Sequence, residues 1–150
     1  MAVGYDVKWH GKQVFMLATE ANVRAMNVAA NLVERETKKA LSHRGSFKSY
    51  KRTKSGKIHW SSQPGSPPAP DSGLLRTSIM SDVRIVGVGV EGRVGPDIDK
   101  IAAAAEAGTD VDYGLYLEIG TRKMAARPFL RPTLRKLKRQ IDKIFIRANR

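Results

Sequence analysis

The chain predicts an α+β domain with a long N-terminal helix, a small antiparallel β-sheet, and a C-terminal amphipathic helix packed on that sheet. Three observations carry the prediction. Apolar residues recur at helical spacing from about Gly11 to Leu41, mark strands around Val83 to Val90, and return to helical spacing after Phe129. At 150 residues the chain has the size of a single domain, 1–150, with one core and a long basic loop at about 43–70.

In the first helix Val14, Leu17, Ala21, Val28 and Leu32 form the stripe, widened by Phe15, Ala18, Met26, Ala29 and Val33. Thirty residues of helix run roughly 45 Å. A rod of that length exceeds one small core, so it is expected either to pack on the sheet along one part and on a neighbouring subunit along the rest, or to pack wholly within the subunit. From His43 to Pro70 the apolar pattern is lost. Lys48, Lys51, Arg52, Lys54 and Lys57 occur there with no acid among them, interleaved with Phe47, Tyr50 and Trp60. Such a segment has too little apolar surface to offset its ordering entropy, and it is expected to order on assembly. Asp71 or Ser72 is placed to cap a short turn through Leu74 and Leu75.

Two antiparallel strands follow, about Ile79 to Val86 and Val88 to Gly95, with a tight turn or bulge at Val86-Gly87. Gly95-Pro96-Asp97 reads as the turn that closes the pair. Ile101 to Ala107 is a short helical insert, and Tyr113 to Thr121 reads as strand or tight turn because its apolar residues are nearly continuous. The last helix carries Leu130, Leu134, Leu137, Ile141 and Ile144 as its stripe, with Arg131, Arg135, Lys136, Lys138, Arg139, Lys143 and Arg147 around it. Pro128 or Pro132 suits its first turn, where a missing amide costs little.

Composition narrows the function classes. Lys and Arg total 27 against 14 acids, and a net charge of +13 favours anionic partners. With Cys at 0 there is no disulfide, thiolate nucleophile or Cys-based zinc site. Met1 to His10 lacks the basic start and apolar run of a signal peptide, and no window reaches the length of a membrane span. The chain is therefore expected to be made in the cytoplasm, without membrane contact. His10, His43 and His59 have no metal-ligand spacing, Ser72 and Ser78 no nucleophile elbow, and Gly87, Gly89, Gly92 and Gly95 no G-K-[ST] ending. Neither a catalytic site nor a cofactor or metal site is predicted.

Two blocks are more specific. Pro67-Pro68-Ala69-Pro70-Asp71-Ser72-Gly73-Leu74-Leu75-Arg76-Thr77-Ser78-Ile79 resembles the "aP-x-x-tG-x-L-r-x-S-i" segment of a phage neck family. Tyr113 to Thr121, followed by Ala126-Arg127-Pro128-Phe129-Leu130-Arg131-Pro132-Thr133-Leu134, is similar to that family's "Y-A-x-x-x-E-x-G-T … a-R-P-F-l-r-P-a-l" signature. The family is the gene-product-ten type of head–tail joining, or tail-completion, proteins of long-tailed phages. The resemblance covers roughly Pro64 to Leu137 and implies a virion part without catalysis. It implies a homo-oligomeric ring, six-fold, that touches a head-completion or connector protein on one side and a tail terminator or tube on the other. DNA would pass through its centre. Gly114 stands where the family has alanine, and the basic loop and the Ile101 to Asp112 insert are longer than the family needs.

Elementary chemistry assigns the motif residues structural work. Gly73 and Gly120 can take positive φ, Pro128 and Pro132 stiffen the approach to the last helix, and Phe129 and Leu130 anchor it in the core. Glu118, near Arg122 and Arg127, suits either a buried pair or a cap. Pro70, Leu75, Ser78, Tyr113 and Thr121 complete the motif set. The five loop cations and three aromatics are the candidate contacts to a neighbouring ring or to DNA. A second reading is a basic nucleic-acid-binding protein, since aromatic residues among cations serve stacking and charge neutralisation.

Overall fold

The computed structural model describes residues 11–43, 47–52, 56, 58–70, 73–104 and 113–150, with backbone alone for 11–18, 47–52, 58–61, 98 and 104. Its elements are α1 (Gly11–Ala40), β1 (Phe47–Arg52), β2 (Ile58–Ser62), α2 (Leu74–Ser78), β3 (Ile79–Val86), β4 (Gly89–Pro96), α3 (Ile98–Ala104), α4 (Tyr113–Ile119) and α5 (Leu130–Ala148). The fold is α+β, as the apolar spacing predicts. Its strands form two separate antiparallel ribbons, β1–β2 and β3–β4.

Helix α1 organises the molecule. Ala25, Ala29, Ala30, Val33 and Thr37 are buried along it, and Leu41 just beyond its end joins the core. Small residues at this face let two elements approach closely. The β3–β4 ribbon lies on one side of α1, and α5 lies along another. At the ribbon, a Cβ on Gly92 would fall 2.7 Å from Met26 Sδ, so glycine lets β4 approach the helix without displacing the methionine side chain. Ser81 Oγ of β3 donates to Glu34 Oε2 of α1 at 2.6 Å, and Lys38 Nζ donates to Oε1 at 2.6 Å. Those donors, Lys38 first and Ser81 second, hold the Glu34 carboxyl below its ordinary value.

This link has a pH signature. A carboxyl whose folded pKa is lowered stabilises the fold above its unfolded pKa, and that contribution is lost as pH falls through the folded value. The stability difference between the native chain and Glu34→Gln, measured by denaturant unfolding, is expected to be largest near neutral pH. It should shrink on acidification through the ordinary glutamate range.

The β3–β4 ribbon pairs without interruption from Ile79↔Pro96 to Val86↔Gly89. Gly87, with φ of +58°, takes the first central position of a two-residue turn, the place a type II′ turn reserves for glycine. The second strand thus begins at Gly89 and continues through Pro96, one residue later at each end than the sequence predicts. The expected turn at Gly95-Pro96-Asp97 shrinks to Asp97, whose Oδ1 accepts from the Asp99 and Lys100 amides and starts α3. That helix begins three residues earlier than the alanine-rich stretch implies, and residues 105–112 lie outside the described residues.

Three further readings need correction. Part of the segment expected to be an irregular loop is ribbon β1–β2, in which Tyr50 stands in register with Trp60 and Lys51 with His59. Tyr113 to Ile119 is a helix and not a strand, burying Gly114, Leu117 and Glu118 at helical spacing. The cap expected from Asp71 or Ser72 lies outside the described residues, and Gly73 stands at the start of α2. On α5, Leu134 points outward at 52% exposure and Thr133 is buried, its hydroxyl donating to the Phe129 carbonyl at 2.7 Å.

The core gathers Leu41, Ile79, Leu117 and Phe129, with Leu75, Val94, Met124 and Leu130 packed around it. Leu130 brings the start of α5 against the core cluster that contains Ile79 of β3. The far end of α5 reaches α1, where Asn149 Nδ2 donates to Asn22 Oδ1 at 3.0 Å.

Candidate functional site

The two motif blocks lie far apart in the chain and meet in one junction. Its centre is Glu118, 8% exposed at the end of α4. The amides of Phe129 and Leu130 donate to its Oε2 at 2.8 and 3.0 Å, and the Arg131 amide donates to Oε1 at 2.9 Å. A helix start leaves its first amides without internal partners and carries partial positive charge. Pro132, next in line, has no amide to satisfy. One carboxylate from a different helix therefore completes the N-terminus of α5. Of the two roles open to Glu118, capping is the one these bonds display.

The residues around it make that reach possible. Gly120 takes φ of +79° and ends α4, its amide donating to the Tyr116 carbonyl at 2.8 Å. Thr121 then closes a tight turn: its amide donates to the Met124 carbonyl at 2.8 Å, and its Oγ1 accepts from the Lys123 and Met124 amides. The chain returns antiparallel to α4, with the Arg127 amide donating to the Leu117 carbonyl at 2.7 Å. Phe129, fully buried, follows at once.

The first block enters from the other side. Ser78 is fully buried, its hydroxyl donating to the Leu75 carbonyl at 2.9 Å and its own carbonyl accepting from the Asp97 amide at 2.8 Å. Leu75 and Pro96 flank Gly114: a Cβ there would lie 2.7 Å from Pro96 Cγ and 3.3 Å from Leu75 Cδ1. The departure from alanine at this position has that physical reason. Gly73 takes φ of +79° as expected, with open space around it. Pro70, Tyr113, Thr121 and Pro132 lie at the surface, and Pro128 is half-buried.

Ribbon β1–β2 is tied to the same junction at its foot. Arg127 Nε donates to the Ser62 carbonyl at 3.2 Å, and the Gly65 amide donates to the Ala126 carbonyl at 2.9 Å. Neither bond was foreseeable from spacing, since each joins residues some sixty positions apart. Of the predicted contact residues, Phe47, Lys48, Tyr50, Lys51 and Arg52 fall on β1 and Trp60 on β2, with Lys48 at a register irregularity. Lys54 and Lys57 lie outside the described residues.

Two other features bear on function. The outer face of α5 exposes Arg131, Arg135, Lys136, Lys138, Arg139, Lys143 and Arg147, with Asp142 paired to Lys138 at 3.0 Å. A shallow polar depression is lined by Glu34, Arg35, Lys38, Lys39, Ser42 and Arg76. Its cations face internal partners: Lys38 holds Glu34, Arg35 and Lys39 hold Glu36, and Arg76 donates to Ser42. Among the described residues no three His, Asp or Glu side chains come together as a metal would need, and no helix is long and apolar enough to cross a membrane. No family model, curated protein or solved structure matches the chain.

Proposed function

We propose that this chain is a structural protein of a tailed-phage neck, a homo-oligomeric ring that completes the tail and joins it to the head while DNA passes through its centre. It performs no catalysis and needs no cofactor in this reading. It is made in the cytoplasm of the host bacterium and resides in the virion. The observation that carries the proposal is how the motif residues are used. Glu118, Gly120, Arg127, Phe129 and Ser78 are consumed in building the fold, and none lines the polar depression beside Glu34, while Val88, Ile85, Leu115 and Ile119 stay at the surface. A motif spent on scaffolding, beside apolar side chains without cover, suits a subunit whose work is to hold neighbours.

The reading is tested by removing the chain from the phage or prophage that encodes it. Filled heads and complete but unattached tails in electron micrographs are the expected result, and normal particles would refute it. The basic ribbon supplies the joint to a neighbouring ring in this account. A channel through which DNA slides gains little from a phosphate clamp, whereas cations set against an acidic ring face fix register. Replacing Lys48, Lys51, Arg52, Lys54 and Lys57 by Ser is expected to leave the thermal midpoint nearly unchanged and to give separated heads and tails.

The exposed cations of α5 favour one second reading, a nucleic-acid-binding protein. Such a protein, making several phosphate contacts, loses roughly a thousandfold or more in affinity between about 50 and 200 mM salt. Weak binding at every salt concentration counts against this second reading.

A further inference from the structure

The β3–β4 ribbon ends in an apolar tip, with Val88 at 84% exposure and Ile85 at 60%. Neither of its edges is paired with another strand among the described residues. The ribbon rests on α1 by one face, which leaves its two edges as the unsatisfied part, and proteins usually blunt a free edge with a bulge, a mid-strand proline or charged side chains. Here the register is continuous, and the one proline, Pro96, ends β4.

Its outer face is complementary to itself. Met80, Asp82, Arg84 and Val86 of β3 stand opposite Gly95, Arg93, Glu91 and Gly89 of β4. On this face each charge stands opposite its counter-charge in register, though the ion pairs run along each strand, Arg84 with Asp82 at 3.6 Å and Arg93 with Glu91 at 2.9 Å, and Met80 and Val86 stand opposite glycines. We infer that the β4 edge of one copy pairs with the β3 edge of the next, antiparallel and in this same register. Glu91 then meets Arg84 of the next copy, Arg93 meets Asp82, and Met80 and Val86 cover Gly95 and Gly89. The occupant is a second copy because this chain's own β3 already satisfies that pattern. Head-to-tail addition uses both edges of every copy and can close by rotation, whereas two-fold pairing of like edges leaves one edge bare. The inference rests on the ring reading and names its interface.

The absence of cysteine makes a clean test. Asp82→Cys and Arg93→Cys are prepared as separate proteins, as are Arg84→Cys and Glu91→Cys, and each pair is mixed, oxidised and run on a non-reducing gel. Light scattering is recorded on the same samples. The expected result is an oligomer with a disulfide-linked dimer several-fold more abundant in each mixture than in either variant alone, since disulfide geometry demands Cα atoms within about 7 Å. An oligomer without that enrichment overturns the interface and leaves the ring standing. Efficient linking of Asp82→Cys or Arg93→Cys to itself overturns head-to-tail pairing in favour of like edges. Monomer at every concentration overturns both.

Discussion

Replacing Glu118 by Ala is expected to destabilise the chain by about 4 kcal/mol, because three backbone amides at the start of α5 lose their shared acceptor. Hydrogen bonds to a charged group contribute about 1.5–3 kcal/mol each, and some of the loss is recovered when water reaches the exposed amides. For a chain of this size each kcal/mol shifts the thermal midpoint by about 2–4 °C, so a fall of roughly 8–16 °C is expected. Glu118→Gln retains an oxygen but not the charge, and its amide group opposes the backbone donors; it should fall between. Thermal and denaturant unfolding check both. A loss near 1 kcal/mol for the alanine variant would mean that solvent caps the helix as well as the carboxylate does.

Gly120→Ala is expected to cost roughly 3 kcal/mol for two separable reasons. The left-handed backbone penalises any Cβ by about 1–2 kcal/mol. The added methyl would also lie 2.8 Å from the Ala126 nitrogen and 3.0 Å from the Met124 oxygen, both backbone atoms held by the turn. Gly73 shares the same φ of +79° with nothing within 4 Å of the added Cβ. Gly73→Ala should therefore cost only the conformational part, about 1–2 kcal/mol. Equal losses at the two sites, measured by denaturant unfolding, would show that the close approach at Gly120 relaxes freely.

These two residues illustrate how far the sequence could be read. The strand Ile79 to Val86 is legible because burial on α1 requires alternation, and α1 and α5 are legible because each lays one stripe on a neighbour. Gly120 announces positive φ by being glycine in a short motif. The partners of Glu118 are another matter. A carboxylate in an apolar stretch signals that something satisfies it, but the donors are backbone amides eleven to thirteen positions on, and amides carry no sequence signal. Helix α4 escaped because Leu115 and Ile119, about half exposed on its outer side, fill in the period that Gly114, Leu117 and Glu118 would otherwise display. The β1–β2 ribbon escaped because Phe47–Arg52 does not alternate apolar and polar residues, and the alternation of Ile58–Ser62 spans only four residues. Thr133 replaced Leu134 in the buried stripe since its hydroxyl is satisfied by a helix carbonyl one turn back.

The apolar residues that blur the α4 pattern, and those at the β3–β4 tip, go unused by the subunit's own core and are free to meet neighbours in the proposed ring. The most direct test of that claim is the mass of the purified chain by multi-angle light scattering across concentration, alone and with its connector or tube partner. A single closed species, six copies if the family resemblance extends to symmetry, is the predicted result. Monomer under every condition would contradict the account.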